Sequence, residues 1–283
     1  MIVEAHAKVN WSLFITGRRT DGYHLVDMIL QKTELCDELE FLPADTLSLR
    51  IDKNSEYTAP ADGSNLILRA AEALKKHTSA SKGARITLKK KIPSGAGLGG
   101  GSADAAAALL ALNRMWNLGL SVRELEEIAL PLGADIPFCL HRETMRVTGI
   151  GETLSPLPAL PRRHLIILKG PEGLDTGSVY RRWDLEEEKR SYSHIRALSA
   201  LTDPEGDLAG ALVNVLEGPA RALCPRIGAD LARLTAAGAF FAQMTGSGSA
   251  VYGVFRDRTG AEKAYRSLKG DGSGGTCILT AAI

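Results

Sequence analysis

The chain has 283 residues, 45% hydrophobic and 24% charged, and its 34 Lys plus Arg nearly cancel its 33 Asp plus Glu. That length suggests two domains, the composition is ordinary for a soluble globular enzyme, and the balanced charge leaves no electrostatic footprint for nucleic acid or a membrane surface. Four cysteines, Cys36, Cys139, Cys224 and Cys277, stand far apart with no CxxC pair, so neither a zinc site nor a disulfide framework is suggested. No apolar run approaches membrane-spanning length and no basic start leads into an apolar segment, so a cytoplasmic location is expected.

Residues 2–13 alternate regularly. Strand side chains face opposite ways in turn, which puts Val3, Ala5, Ala7, Val9, Trp11 and Leu13 on one face and Glu4, His6, Lys8, Asn10 and Ser12 on the other. Pattern alone reads the second face as solvated; the functional alternative is a row holding one cation and two hydrogen-bonding side chains. Thr20-Asp21-Gly22 signals a turn, followed by Tyr23-His24 and further strand-like sequence to residue 41. Residues 65–77 repeat Leu66, Ala70, Ala71 and Leu74 at helical spacing. Lys89-Lys90-Lys91 is the densest basic run, read first as a solvated strand end, although its place just ahead of the next motif would also suit attraction of a polyphosphate.

The most informative segment is Pro93-Ser94-Gly95-Ala96-Gly97-Leu98-Gly99-Gly100-Gly101-Ser102-Ala103, which runs into an alanine-rich helix. A glycine-dense loop opening a helix leaves backbone N–H groups unpaired at the positive end of the helix dipole, which makes a cradle for an anion. A P-loop requires Gly-Lys-Ser/Thr, absent here. Gly95, Gly97 and Gly100 match GxGxxG literally, yet no acidic residue closes a second strand about 20 residues on, as a dinucleotide fold requires. A flexible glycine linker would have a polar low-complexity neighbourhood, whereas Ile86-Thr87-Leu88 before the loop is strand-like.

Ser121 and Glu124 form a capping box, so a helix starts near Val122 and stops at Pro131. Asp135 lies in an apolar turn bracketed by Pro131 and Pro137. It either caps a turn or helix or is a carboxylate held in a protected pocket to orient or deprotonate a hydroxyl, with Lys8 as its cationic complement. The Pro/Leu-rich stretch 154–163 marks the expected domain boundary, giving domains of 1–155 and 156–283. Near the end, Thr245-Gly246-Ser247-Gly248-Ser249-Ala250 is a second glycine-rich loop, equally suited to a plain β-turn or to presenting N–H groups to an anion. Two such loops, one per half, point to a cleft between domains.

At these residues the sequence resembles the GHMP kinase superfamily, ATP-dependent kinases of small molecules. Residues 93–103 meet its long glycine motif and Thr245 to Ala250 its C-terminal one. Lys8-Val9-Asn10, Gly17-Arg18-Arg19, Asp21-Gly22-Tyr23-His24 and Gly133-Ala134-Asp135-Ile136-Pro137-Phe138 are similar to the branch whose substrate is a cytidine diphosphate derivative of methylerythritol, in non-mevalonate isoprenoid synthesis. The resemblance implies an α+β, two-domain fold with a ribosomal-S5-like N-terminal domain and a ferredoxin-like C-terminal domain. It implies Asp135 as catalytic base and Lys8 as its partner, and residues 93–103 with Asn65 and Leu66 around ATP. Asn10, Tyr23, His24, Thr176, Tyr180, Gly246 and Ser247 then belong to the substrate side, with Tyr180 stacking on cytosine. Mg²⁺ is expected with ATP on ligands the sequence does not name, and the assembly is expected to be a monomer or homodimer. Three departures stand out: His141-Arg142-Glu143 where glycines are usual, Leu174-Asp175 in place of Val-Ser, and Val215 in place of Asp in a segment, 214–217, read as helix.

Overall fold

The computed structural model describes residues 1–186 and 192–283. Strands β1 (Ile2–Arg18) and β2 (His24–Ala44) form a long antiparallel hairpin. Its turn is the predicted one: Asp21 Oδ1 accepts the Tyr23 N–H, and Gly22 takes φ +93°, which a side chain would resist. β3 (Leu47–Ile51) and β4 (Gly83–Lys89) extend this sheet and flank α1 (Leu66–Thr78). Asn65 caps α1 by accepting the Ile67 N–H.

Helix α2 (Gly100–Trp116) follows the glycine loop, and its alanine-rich turns, buried nearly all round, are what an interior helix requires. α3 (Val122–Ala129) has the full capping box, Ser121 with Glu124. A 3₁₀ turn at Leu130–Leu132 leads to the short α4 (Ile136–Cys139), then to the hairpin β5 (Met145–Gly149) and β6 (Thr153–Pro156). The expected boundary at 155/156 falls at the last residue of β6, where Pro156 pairs with Met145.

The second half contains β7 (Arg163–Lys169), α5 (Thr176–Trp183), α6 (His194–Thr202), α7 (Leu208–Ala211), α8 (Glu217–Leu223), α9 (Arg226–Ala236), β8 (Phe241–Met244), β9 (Val251–Phe255), α10 (Arg258–Lys269) and β10 (Thr276–Ala282). Strand order is β3-β4-β2-β10-β7-β9-β8, with β1 and β5 also paired to β2. The halves join where Ala282 pairs with Thr33 and the Ile283 N–H donates to Lys32 O. Residues 214–217 are not a helix throughout: Asn214 makes an isolated bridge to Leu13, and α8 begins only at Glu217.

Strand β1 serves two cores. Ala5, Leu13 and Ile15 join the larger cluster, while Ala7, Val9 and Trp11 join a smaller one with Ile92, Ala96 and Leu98 of the glycine loop. Register shifts between His6 and Lys8 and between Asn10 and Ser12 break the ladder along this strand. Its polar row is solvated only at its start: Glu4 is exposed and His6 half-buried, whereas Lys8, Asn10 and Ser12 are buried. The basic run is corrected as well: Lys90 is buried, its ammonium paired with Asp37 and with Asp104 at 2.9 Å. Asp37 lies 53 residues before Lys90 and Asp104 14 residues after it, across the glycine loop, so the composition of the basic run itself could not reveal them.

Candidate active site

One cavity of about 750 Å³ lies where β1, the two glycine loops, α4 and α5 converge. At its floor the two loops are knitted together. Ala250 N–H donates to Ala96 O at 3.2 Å, and Thr245 Oγ1 donates to Gly97 O at 3.4 Å. Gly97 has φ +75°, and a Cβ there would lie 2.3 Å from Thr245 O, so glycine is required on both grounds. Gly99, also at positive φ, starts α2 with no side-chain cap, leaving the first N–H groups of the helix for an anion.

Lys8 emerges beside this cradle. Its backbone N–H donates to Leu98 O, and its ammonium donates to Asn10 Oδ1 at 2.7 Å and faces Asp135 Oδ2 at 3.4 Å. The Lys8 side chain is 4% exposed and that of Asp135 33%, so the cation is fixed from behind while the carboxylate is open to a ligand. Asp135 stands at the N-cap position of α4 but makes no capping hydrogen bond, and it lines the cavity. Lys32 donates to Cys139 O at the far end of α4, securing the helix that carries Asp135.

The opposite end of the cavity is aromatic. His24 and Tyr180 rings lie 4.8 Å apart at 34°, and Trp183 meets His24 edge-on at 5.7 Å. Asp184 Oδ1 holds His24 Nε2 at 2.7 Å and lies 3.5 Å from Arg18 through its other oxygen. Burial, then the nearby Asp135 charge, push the Tyr180 hydroxyl up to about 12. Tyr23 stands open at the rim, and the hydroxyls of Thr176 and Ser247 bond each other at 2.8 Å.

Lys8, Asn10, Tyr23, His24, Gly95, Gly97, Gly99, Ser102, Asp135, Thr176, Tyr180, Gly246 and Ser247 all line this cavity. Pro93, Ser94, Ala96, Leu98, Gly100, Gly101 and Ala103 are outside the lining, with Ala96 and Leu98 buried in the smaller core. Asn65 and Leu66 are outside it too: Asn65 spends both side-chain ends on Ile67 N and Pro60 O, and Leu66 packs against the core. Asn10 Oδ1 is committed to Lys8 and Thr245, on the phosphate-loop side.

Sequence reasoning missed Arg18, Arg181 and Asp184, which line the aromatic end, and Asn214, whose amide donates to Met244 O and Gly246 O at 2.8 Å and sets the second loop. Asn214 adjoins the departure at Val215, but no local signal marks it. The departure at Asp175 is conservative, since its carboxylate caps α5 by accepting the Ser178 N–H at 2.7 Å.

An uncapped glycine-built helix start beside a buried lysine and an open carboxylate suits phosphoryl transfer, and comparison with known proteins makes the class that of ATP-dependent small-molecule kinases. The GHMP kinases N terminal domain matches residues 65–143 and the GHMP kinases C terminal domain residues 197–274. A 4-diphosphocytidyl-2-C-methyl-D-erythritol kinase of Rhizobium leguminosarum bv. trifolii is 39% identical over 95% of this chain and 90% of its own length. That of Pelotomaculum thermopropionicum is 42% identical over 92% and 90%. A crystal structure of 4-(cytidine 5'-diphospho)-2C-methyl-D-erythritol kinase superposes with TM-score 0.84 at 33% identity, covering 100% of this chain and 99% of that one. The homoserine kinase of Cytophaga hutchinsonii, 19% identical with TM-score 0.73 over 100% and 94%, shares the fold. The chain belongs to the 4-diphosphocytidyl-2-C-methyl-D-erythritol kinase family within the GHMP kinases, and its fold is the α+β GHMP kinase fold.

Proposed function

We propose that the protein transfers the terminal phosphoryl group of ATP to the 2-hydroxyl of 4-diphosphocytidyl-2-C-methyl-D-erythritol, giving the 2-phosphate and ADP. The observation that carries this reading is the Lys8–Asp135 pair, 3.4 Å apart, in the cavity shared by the phosphate cradle and the aromatic end. Phosphoryl transfer asks mainly for positioning and charge neutralisation. The N-terminus of α2 and the loops around Gly97 and Gly246 hold the phosphates by backbone N–H groups. Asp135 accepts the hydroxyl proton as the new O–P bond forms and the bond to the ADP oxygen breaks. Lys8 pairs with that carboxylate and neutralises charge on the phosphoryl group in transit. Tyr180, His24 and Tyr23 offer ring faces and polar edges for a pyrimidine, with Arg18 and Arg181 nearby.

Among the described residues no three His, Cys, Asp or Glu side chains are placed to hold a metal ion. That suits Mg²⁺ carried largely on substrate phosphates, with Ser102 Oγ and the Asp135 carboxylate as nearby oxygen donors. Mg²⁺ would add charge neutralisation of the phosphates there. The divisions 1–155 and 156–283 serve in this reading as the two domains between which the substrates meet.

The test is turnover by purified protein with ATP and the cytidylyl alcohol, set against homoserine and mevalonate; turnover confined to either of the latter would overturn the substrate. Asp135→Ala is expected to lower kcat by about 10²-fold to 10⁴-fold while ATP binding by calorimetry stays within about threefold, because a general base contributes roughly that much. Retained turnover in that variant would remove Asp135 from the chemistry.

A further inference from the structure

A buried ionic cluster lies directly beneath the phosphate loop, and the phosphoryl-transfer chemistry does not use it. Lys90 follows the end of β4, Asp37 comes from β2 and Asp104 from the second turn of α2, and all three are nearly inaccessible. The Lys90 ammonium pairs with Asp37 and donates to Asp104 Oδ2 at 2.9 Å. Asp37 also accepts the backbone N–H of Lys91 at 2.5 Å and of Ile92 at 2.8 Å, the two residues that lead into Pro93. The loop's entry therefore hangs on Asp37. Its exit hangs on Asp104, one turn past the helix start.

Contact between them is close: a Cβ on Gly100, the first residue of α2, would stand 2.9 Å from the Lys90 ammonium. A cation at that end of a helix is opposed by the helix dipole, and burial without partners would be prohibitive. Local packing alone does not call for a lysine at this position. What the cluster does supply is a single rigid tie between the two ends of the loop from 93 to 99.

We propose that Lys90, Asp37 and Asp104 are positioning residues that fix both ends of the phosphate loop, so that the cluster sets affinity for the nucleotide and leaves the alcohol site alone. This rests on the loop being the ATP site. Asp104→Ala cuts the exit tie only; it suits an alanine-rich helix and leaves Lys90 paired one to one with Asp37, so the fold should survive. Lys90→Met cuts both ties, and Lys90→Arg keeps the charge.

The experiment measures KM for ATP, KM for the cytidylyl alcohol and calorimetric binding of a non-hydrolysable ATP analogue. For Asp104→Ala we expect KM for ATP to rise about fivefold to twentyfold, with KM for the alcohol within twofold and the melting temperature little changed. Lys90→Met should weaken ATP further, and Lys90→Arg should recover part of the loss. A merely structural cluster would lower the melting temperature and leave both KM values of the folded protein untouched, and that result overturns the proposal. If Lys90→Met does not fold, Asp104→Ala decides alone. Gly97→Ala is the control for the premise: an unchanged KM for ATP there removes the loop from the ATP site, whereas a raised one beside an unchanged Asp104→Ala refutes the positioning role only.

Discussion

The two ends of the cavity are built from different materials. The phosphate end is made of main chain: glycines at positive φ, a helix start without a side-chain cap, and two loops bonded to each other through carbonyls, N–H groups and the Thr245 hydroxyl. The aromatic end is made of side chains from distant points of the sequence, His24 and Asp184 being 160 residues apart. Main-chain sites are stiff because their donors cannot rotate away, and they bind what all members of a class share. Side-chain sites can be exchanged one residue at a time, which is how one fold serves many substrates.

This contrast breaks first at Gly97. A methyl group there would meet Thr245 O at 2.3 Å and would force a left-handed conformation on an L-residue. Strain of this kind costs about 1–3 kcal/mol, and here it falls on the seam between the loops. Gly97→Ala is expected to raise KM for ATP by more than about tenfold and to lower the melting temperature, with a smaller effect on the alcohol. An equal rise in both KM values would show that the two ends are not separable.

A more moderate effect is expected at the other end. Asp184 fixes the His24 ring through Nε2 while Arg18 approaches its second oxygen, and both sit at the cavity wall. Removing a hydrogen bond to a charged partner costs roughly 1.5–3 kcal/mol when buried, less in this partly open position. Asp184→Ala should therefore raise KM for the cytidylyl alcohol about tenfold and leave KM for ATP within twofold. A variant that weakened ATP instead would place Asp184 on the wrong side of the comparison.

The same contrast governs what could be read from sequence. The cradle was legible because its physics is local: consecutive glycines, then a strong helix former, with no long-range partner needed. Strand β1, α1 and the α3 capping box were legible for the same reason. The pairing of Asp135 with Lys8 was not legible, since the two are 127 positions apart and only the fold brings them together. His24 and Tyr180 came from resemblance rather than from pattern. Asp184 could not be found either way, and Arg18 and Asn214 stood in quoted segments without a role, because each matters through a partner on another element. Lys90 was read the wrong way round, since three successive lysines look solvated unless the carboxylates folded over the middle one are in view.

The last prediction concerns that cluster, touches neither end of the cavity directly and is tested without substrates. Burial is the largest influence on Asp104 and raises its carboxyl; Lys90 offsets this in part and Asp37 adds to it, leaving the group at about 8 against an ordinary 3.8. A carboxyl whose folded pKa is raised binds a proton in the native state that the unfolded chain has already lost. Its contribution to stability is complete below about 4 and is lost progressively as pH rises toward about 8, with a slope of at most about 1.4 kcal/mol per pH unit. Urea unfolding of the protein without nucleotide or metal, between pH 5.5 and 8.5, should show stability declining with pH. Asp104→Ala should flatten that decline, so that its stability relative to the parent improves toward the alkaline end. An identical slope in both proteins would mean that Asp104 is ionised throughout and that the cluster carries its net negative charge beneath the phosphates, which is the arrangement least favourable to the main-chain cradle above it.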